Sequence, residues 1–142
     1  MNITTITQNN FSSAIALLKR NNLPTEDISD NTGLFVLEEE NKVVGTIALE
    51  HDATDALLRS LSVTEEKRNM GLGKELVAFI EDHAQKQGVK NIYLLTTTAA
   101  NFFSKGGYQV TDRNDVSDFI KKTSEFCSVC PASATVMKKE LK

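Results

Sequence analysis

The clearest change of hydrophobic period along the chain falls between Leu57 and Gly88, and the other elements lie on either side of it. Leu57 to Val63 (LLRSLSV) is an apolar, Leu-rich run that reads as a largely buried strand. Beyond a charged loop from Thr64 to Arg68, Leu72, Leu76, Val77, Ile80 and Ala84 recur at helical spacing. Lys74, Glu75, Glu81, Asp82 and Gln85 fill the opposite face. Gly88 stands where a residue at positive φ commonly stops a helix. The pattern predicts a buried strand, a short loop and a long amphipathic helix, in that order.

The flanks carry shorter signals. Ile3 to Ile6 is a mildly apolar, Thr-rich first strand, and Phe11, Ile15 and Leu18 mark a helix over residues 11–19 that Arg20-Asn21-Asn22 ends. Pro24 to Asn31 reads as a loop or a short second helix. Gly33 to Leu37 and Lys42 to Glu50 form an antiparallel hairpin across a Glu-Asn turn, with Gly45 marking a bulge or a close backbone approach. Downstream, Val89 to Thr96 is another apolar strand. Thr97 to Lys105 is helical in pattern with Ala99, Phe102 and Phe103 inward, and Gly106-Gly107 leads into a strand through Val110. A polar helix around Asn114 to Thr123 and a last strand around Ala134 to Lys138 close the chain. Strands interspersed with helices, with no repeat or linker-like stretch, predict one mixed α/β domain over residues 1–142.

Composition narrows the function. A chain of 142 residues with 40% hydrophobic and 25% charged residues suits one ordinary globular core. A net charge of −3 and a pI near 5.4 argue against nucleic acid and anionic membrane as partners. Apolar runs fall short of membrane-spanning length, and the N-terminus lacks the basic segment and apolar core of a signal peptide, so a cytoplasmic protein is expected. Cys127 and Cys130 are spaced C-x-x-C, which is half a zinc site, and His51 and His83 are not spaced to complete it. No metal is expected; two reduced thiols are.

The chemistry concentrates where the helix begins. A helix N-terminus presents backbone N–H groups without intrahelical partners and favours anions. Gly71 and Gly73 remove the Cβ atoms that would hold a ligand off that backbone, while Lys67, Arg68 and Lys74 add positive charge. A phosphate or pyrophosphate suits such a site. A P-loop is excluded because Glu75 follows Gly73-Lys74 and Arg68 stands where the first glycine belongs. A dinucleotide fingerprint is excluded because Leu76 occupies the third glycine position and Asn91-Ile92-Tyr93 offers no acidic residue downstream.

The spacing that fits is Arg68-x-x-Gly71-x-Gly73, set between the strand end Leu61-Ser62-Val63 and an amphipathic helix. It resembles the acetyl-CoA motif of the GNAT family of N-acetyltransferases, and the resemblance runs from about Val43 to Tyr108. It implies a mixed, mostly antiparallel sheet flanked by helices (α/β, or α+β), with a splayed pair of central strands. It also implies acetyl-CoA as cosubstrate. The backbone of Leu61, Ser62 and Val63 would bond the pantetheine arm, and Arg68, Asn69, Met70, Gly71, Leu72, Gly73 and Lys74 would wrap the pyrophosphate. Thr96 matches the family's usual Asn near the next strand end. Phe103 stands where a tyrosine acid is common, counted back from Tyr108, and the usual strand carboxylate is missing at Leu57 and Arg59.

Acetyl transfer to an amine needs the thioester placed against the amine and the ammonium deprotonated. Glu50, or His51 through a water, is the candidate base; an acceptor of modest pKa needs no strong base. Arg59, a guanidinium within an apolar strand, reads as a clamp for a substrate carboxylate, as half of a salt bridge, or as a sign that the strand face opens to solvent. Ser60 reads as a hydrogen-bonding partner of substrate or as the cap of a strand bulge. Thr97 and Thr98, at a strand end, are candidate acceptor contacts, and Arg113 is a weaker anion contact.

Two stretches narrow the resemblance. Leu94 to Tyr108 (LLTTTAANFFSKGGY) is similar to the acetyltransferase domain of N-acetylglutamate synthases. Together with Glu125 to Met137 it resembles the small acetyltransferases associated with arsenic-resistance operons. A small acceptor bearing a carboxylate follows from that resemblance, as does a contact of the Cys127/Cys130 pair with a trivalent arsenical. The chain is expected to be a monomer or homodimer. The competing readings are a non-catalytic acetyl-CoA or CoA sensor, and an acetyltransferase acting on protein lysines or N-termini.

Overall fold

Strands and helices are interspersed along the chain as the periodicities require. The computed structural model describes residues 2–23, 25, 28, 33–68, 70–123 and 134–141. The elements are β1 (Asn2–Thr5), α1 (Gln8–Arg20), β2 (Gly33–Glu39), β3 (Lys42–His51), β4 (Asp55–Val63), α2 (Leu72–Lys86), β5 (Asn91–Thr96), α3 (Ala100–Lys105), β6 (Gln109–Val110), α4 (Asp118–Lys121) and β7 (Thr135–Glu140). The seven strands are hydrogen-bonded in the order β1-β2-β3-β4-β5-β7-β6. β1–β2, β2–β3, β5–β7 and β6–β7 are antiparallel, and β4–β5 is parallel. This is the mixed, mostly antiparallel sheet with helices that the sequence led one to expect. The chain gathers into two compact units, residues 1–49 with 60–80, and residues 50–59 with 81–142.

In the first unit, β2 is buried on both faces, which explains its unbroken apolar run. Leu34 and Val36 pack with Ala14 of α1 and Ala48 of β3. The alternate residue Phe35 meets Phe79 of α2 edge to face, ring centroids 5.1 Å apart. The β2–β3 connection is a two-residue turn with Glu40 and Asn41 both at positive φ (52° and 67°), the geometry that matches strand twist. Gly45 combines both of its expected roles. Register slips beside it, from Leu37↔Gly45 to Glu38↔Val43. An added Cβ there would lie 2.9 Å from Leu76 Cδ1 and 3.2 Å from the Ser62 carbonyl oxygen.

In the second unit, Tyr93 and Leu95 of β5 pack with Leu57, Val116, Ile120 and Val136. The parallel ladder between β4 and β5 pairs Asp55↔Asn91, Ala56↔Ile92 and Leu57↔Tyr93. Among the described residues it ends there, although both strands run on, while β7 stays paired to β5 as far as Thr96↔Thr135. The loss of pairing partway along two central strands is the splay.

Three local readings are corrected. Phe102 is 40% exposed, and of the three residues expected inward only Phe103 is buried. A helix of one and a half turns has room for a single inward position of that size. The tail helix is two pieces, a 3₁₀ turn over Arg113–Asp115 and α4, because buried Val116 and the capping Ser117 interrupt it. Glu81, read as part of the solvent face of α2, accepts hydrogen bonds from Tyr108 Oη at 2.9 Å and Lys139 Nζ at 3.1 Å. Pro24, most of the segment up to Asn31, and the Cys127/Cys130 pair lie outside the described residues.

Candidate acetyl-CoA and acceptor sites

The glycine turn is built within the first unit, from the end of β4 to the start of α2. The Thr64 N–H donates to the Val44 carbonyl (2.9 Å), which fixes where the chain leaves β4. Residues 65–67 make one 3₁₀ turn, held by Lys67 Nζ on Glu39 Oε1 at 3.3 Å. At the far side Leu72 is 2% exposed and anchors the first turn of α2 in the core. Between these anchors the chain stands outward, with Met70 59% exposed.

Gly71 has φ +79°, a conformation that disfavours side chains, and a Cβ built on it would meet nothing within 4 Å. Backbone is therefore bare on the side a ligand would approach. The Glu75 N–H bonds the Gly71 carbonyl at 3.1 Å, so the amides before it precede the helix's own hydrogen-bond ladder. Bare backbone, leading amides and exposed Lys74 fit a pyrophosphate. Asn69 lies outside the described residues.

Arg68 does something the sequence did not suggest. Its Nη2 donates to Asn21 Oδ1 and its Nε to the Val63 carbonyl at 3.4 Å. Asn21 in turn donates through Nδ2 to Ser62 Oγ and, at 3.3 Å, to the Val63 carbonyl. Asn21 is the residue that closes α1. Its sequence neighbourhood signals only a helix end, so nothing local marks it as part of this site.

β4 carries a deformation just before the turn. Ser60, 9% exposed, has φ +60° in the middle of a strand, a conformation that costs of order 1–3 kcal/mol for a residue with a side chain. The fully buried Thr46 hydroxyl donates to the Ser60 carbonyl at 2.8 Å. Beyond Ser60, Leu61 and Val63 are half-buried and Ser62 is buried.

In the second unit, Arg59 and Glu50 form one pair. Arg59 Nη1 lies 3.0 Å from Glu50 Oε2, with the two side chains 1% and 30% exposed. His51 is exposed, its Nδ1 2.9 Å from the Asp52 carbonyl oxygen. Thr96 Oγ1 accepts from the Ala99 N–H at 2.9 Å just ahead of α3, while Thr97 and Thr98 are exposed. Phe103 is buried and edge-on to Tyr108, 5.5 Å between centroids. Tyr108 restores a phenol near that position, but it is buried and bonded to Glu81, and burial first, then the carboxylate, push its pKa well above the usual value. Arg113 donates to the Ala134 carbonyl at 3.2 Å. No helix among the described residues is long and apolar enough to cross a membrane.

Residues 30–110 match the family model described as an acetyltransferase (GNAT) domain. The chain is 33% identical over 98 residues to an uncharacterized N-acetyltransferase of Chlorobaculum tepidum, covering 68% of this chain and 61% of that protein. It is 36% identical over 76 residues to the amino-acid acetyltransferase of Pseudomonas fluorescens, covering 52% of this chain and 18% of that one. The chain thus spans only part of these relatives' length. In fold it is similar to N-acetylglutamate synthase from Neisseria gonorrhoeae, a structure complexed with coenzyme A and N-acetyl-glutamate (TM-score 0.85, 18% identity, 99% of this chain and 35% of that one). It is similar also to Rv2747 from Mycobacterium tuberculosis (TM-score 0.83, 16% identity, full coverage of both). With the turn, its glycine and the splayed strands in place, the chain belongs to the GNAT family of N-acetyltransferases, whose cosubstrate is acetyl-CoA.

Proposed function

We propose that residues 1–142 act as one domain that moves the acetyl group of acetyl-CoA directly to the amine of a small, amino-acid-like acceptor bearing a carboxylate. The observation that carries this reading is the turn before α2, with bare backbone at Gly71 and the amides of the helix start beside it. Leu61 to Val63 serve the pantetheine arm, and Arg68 to Lys74 serve the pyrophosphate. Thr96 and Phe103 complete the cofactor contacts, and Arg59, Thr97 and Thr98 serve the acceptor. The relatives named amino-acid acetyltransferases favour such an acceptor.

In the reaction the amine nitrogen attacks the thioester carbonyl carbon, the C–S bond breaks, and the amine loses a proton while the departing thiolate gains one. Glu50 takes that proton, its carboxylate being partly exposed and oriented by Arg59. Ser60 offers its hydroxyl beside Arg59 on β4.

The test is release of free CoA thiol from acetyl-CoA across a panel of α-amino acids, each set against the amine that lacks the carboxylate. Turnover with the amino acids and little with the amines is expected. Equal turnover of both sets overturns the carboxylate reading. Tight acetyl-CoA binding with no turnover on small amines or lysine peptides makes the chain a sensor instead.

A further inference from the structure

We infer that Asn21, the residue closing α1, is a positioning residue for the pyrophosphate turn and sets the affinity for acetyl-CoA through Arg68. This rests on the turn's proposed role as the acetyl-CoA site. Arg68 lies two positions before the exposed Met70, so its side chain attaches the turn close to the proposed ligand-facing backbone. Both groups that Arg68 holds are tied to Asn21, directly through Oδ1 and indirectly through the shared Val63 carbonyl.

The chemistry at position 21 is specific. Arginine has donors only, so the oxygen of the Asn21 amide must face Arg68 and its nitrogen must face β4. The nitrogen meets Ser62 Oγ and the Val63 carbonyl, as that orientation demands. One neutral side chain therefore accepts from the turn and donates to the strand end. Aspartate would keep the acceptor and lose the donor to Val63; leucine would lose both. Asn21 itself has φ −95° and ψ 12°, which leucine and aspartate adopt without strain.

Affinity responds because a turn already ordered has less conformational freedom to lose when its amides close on a phosphate. Asn21→Leu is expected to raise the acetyl-CoA Kd about tenfold, with Asn21→Asp between it and wild type. In an Arg68→Gln background Asn21→Leu is expected to add less than twofold, because the strut is already gone. The measurement is calorimetric titration of acetyl-CoA into wild type, the two Asn21 variants, Arg68→Gln and the double variant, with thermal unfolding of each alone. A role confined to capping α1 would lower the unfolding midpoint and leave the Kd of the folded protein unchanged. A Kd within twofold of wild type for Asn21→Leu, or effects of Asn21→Leu and Arg68→Gln that add in full, overturns the inference. Failure of the wild type to bind acetyl-CoA overturns the reading of the turn, and this inference with it.

Discussion

Arg59 and Glu50 are two charges brought together by a hairpin, Nη1 to Oε2 at 3.0 Å, with the guanidinium buried and the carboxylate partly in water. The asymmetry fits the proposed roles. A buried guanidinium is costly without partners, while a carboxylate at the surface end of the pair can be solvated and can meet an incoming ammonium. Glu50→Gln keeps the shape and an acceptor for Arg59 but cannot take a proton. Its kcat is expected to fall about a hundredfold, with the acetyl-CoA Kd unchanged. Glu50→Ala takes one partner from Arg59 and is expected to cost about 1.5–3 kcal/mol of stability by denaturant unfolding. A kcat for Glu50→Gln within twofold of wild type would remove Glu50 from the proton path.

Gly71→Glu places a carboxylate where the pyrophosphate is proposed to lie. The space around a Cβ is open, so the fold is retained at a backbone strain of about 1 kcal/mol from the positive φ. Acetyl-CoA is expected to cease stabilising the protein against heat, whereas the wild type gains about 2.7 kcal/mol at a hundred times Kd. An equal thermal shift in both proteins would disprove the assignment.

Gly45→Ala tests packing between β3, β4 and α2, next to the Ser62 backbone proposed to bond the pantetheine arm. The new methyl would meet Leu76 Cδ1 at 2.9 Å and the Ser62 carbonyl oxygen at 3.2 Å. Leu76 is fully buried and the carbonyl is backbone, so neither yields easily. A loss of about 1–3 kcal/mol is expected from urea unfolding, with m unchanged.

Tyr108 predicts the alkaline limb of stability. Burial and Glu81 raise its pKa in the folded state above the reference of about 10, so between these values the unfolded chain gives up a proton that the folded chain keeps. Stability from this group is therefore full below about pH 10 and falls above it, by about 1.4 kcal/mol per pH unit. Tyr108→Phe is expected to flatten the stability curve between about pH 10 and 11. An unchanged slope in the variant would show that other groups set it.

Much of this site was legible locally. The backbone free of a Cβ at Gly71 and the helical spacing of Leu72, Leu76, Ile80 and Ala84 are properties of neighbouring residues, and the structure keeps both, adding the positive φ of Gly71. The hairpin turn at Glu40-Asn41 is likewise local, although glutamate at positive φ is not a residue one would choose for it. The Arg59 alternatives show the limit. A guanidinium within an apolar run announces that some partner exists, but not which acid across the hairpin supplies it.

The sequence by itself determined the order of strands and helices, the glycine turn and the family, because periodicity, backbone conformation and motif spacing are set within a few residues. Only the tertiary structure decided which side chains act together. Arg68 reaches Asn21 across 47 positions, Asn21 reaches Ser62 across 41, and Lys139 reaches Glu81 across 58. The physical reason is that a hydrogen bond depends on distance and direction in space, and a residue such as Asn21 reads in sequence only as the polar stop of a helix.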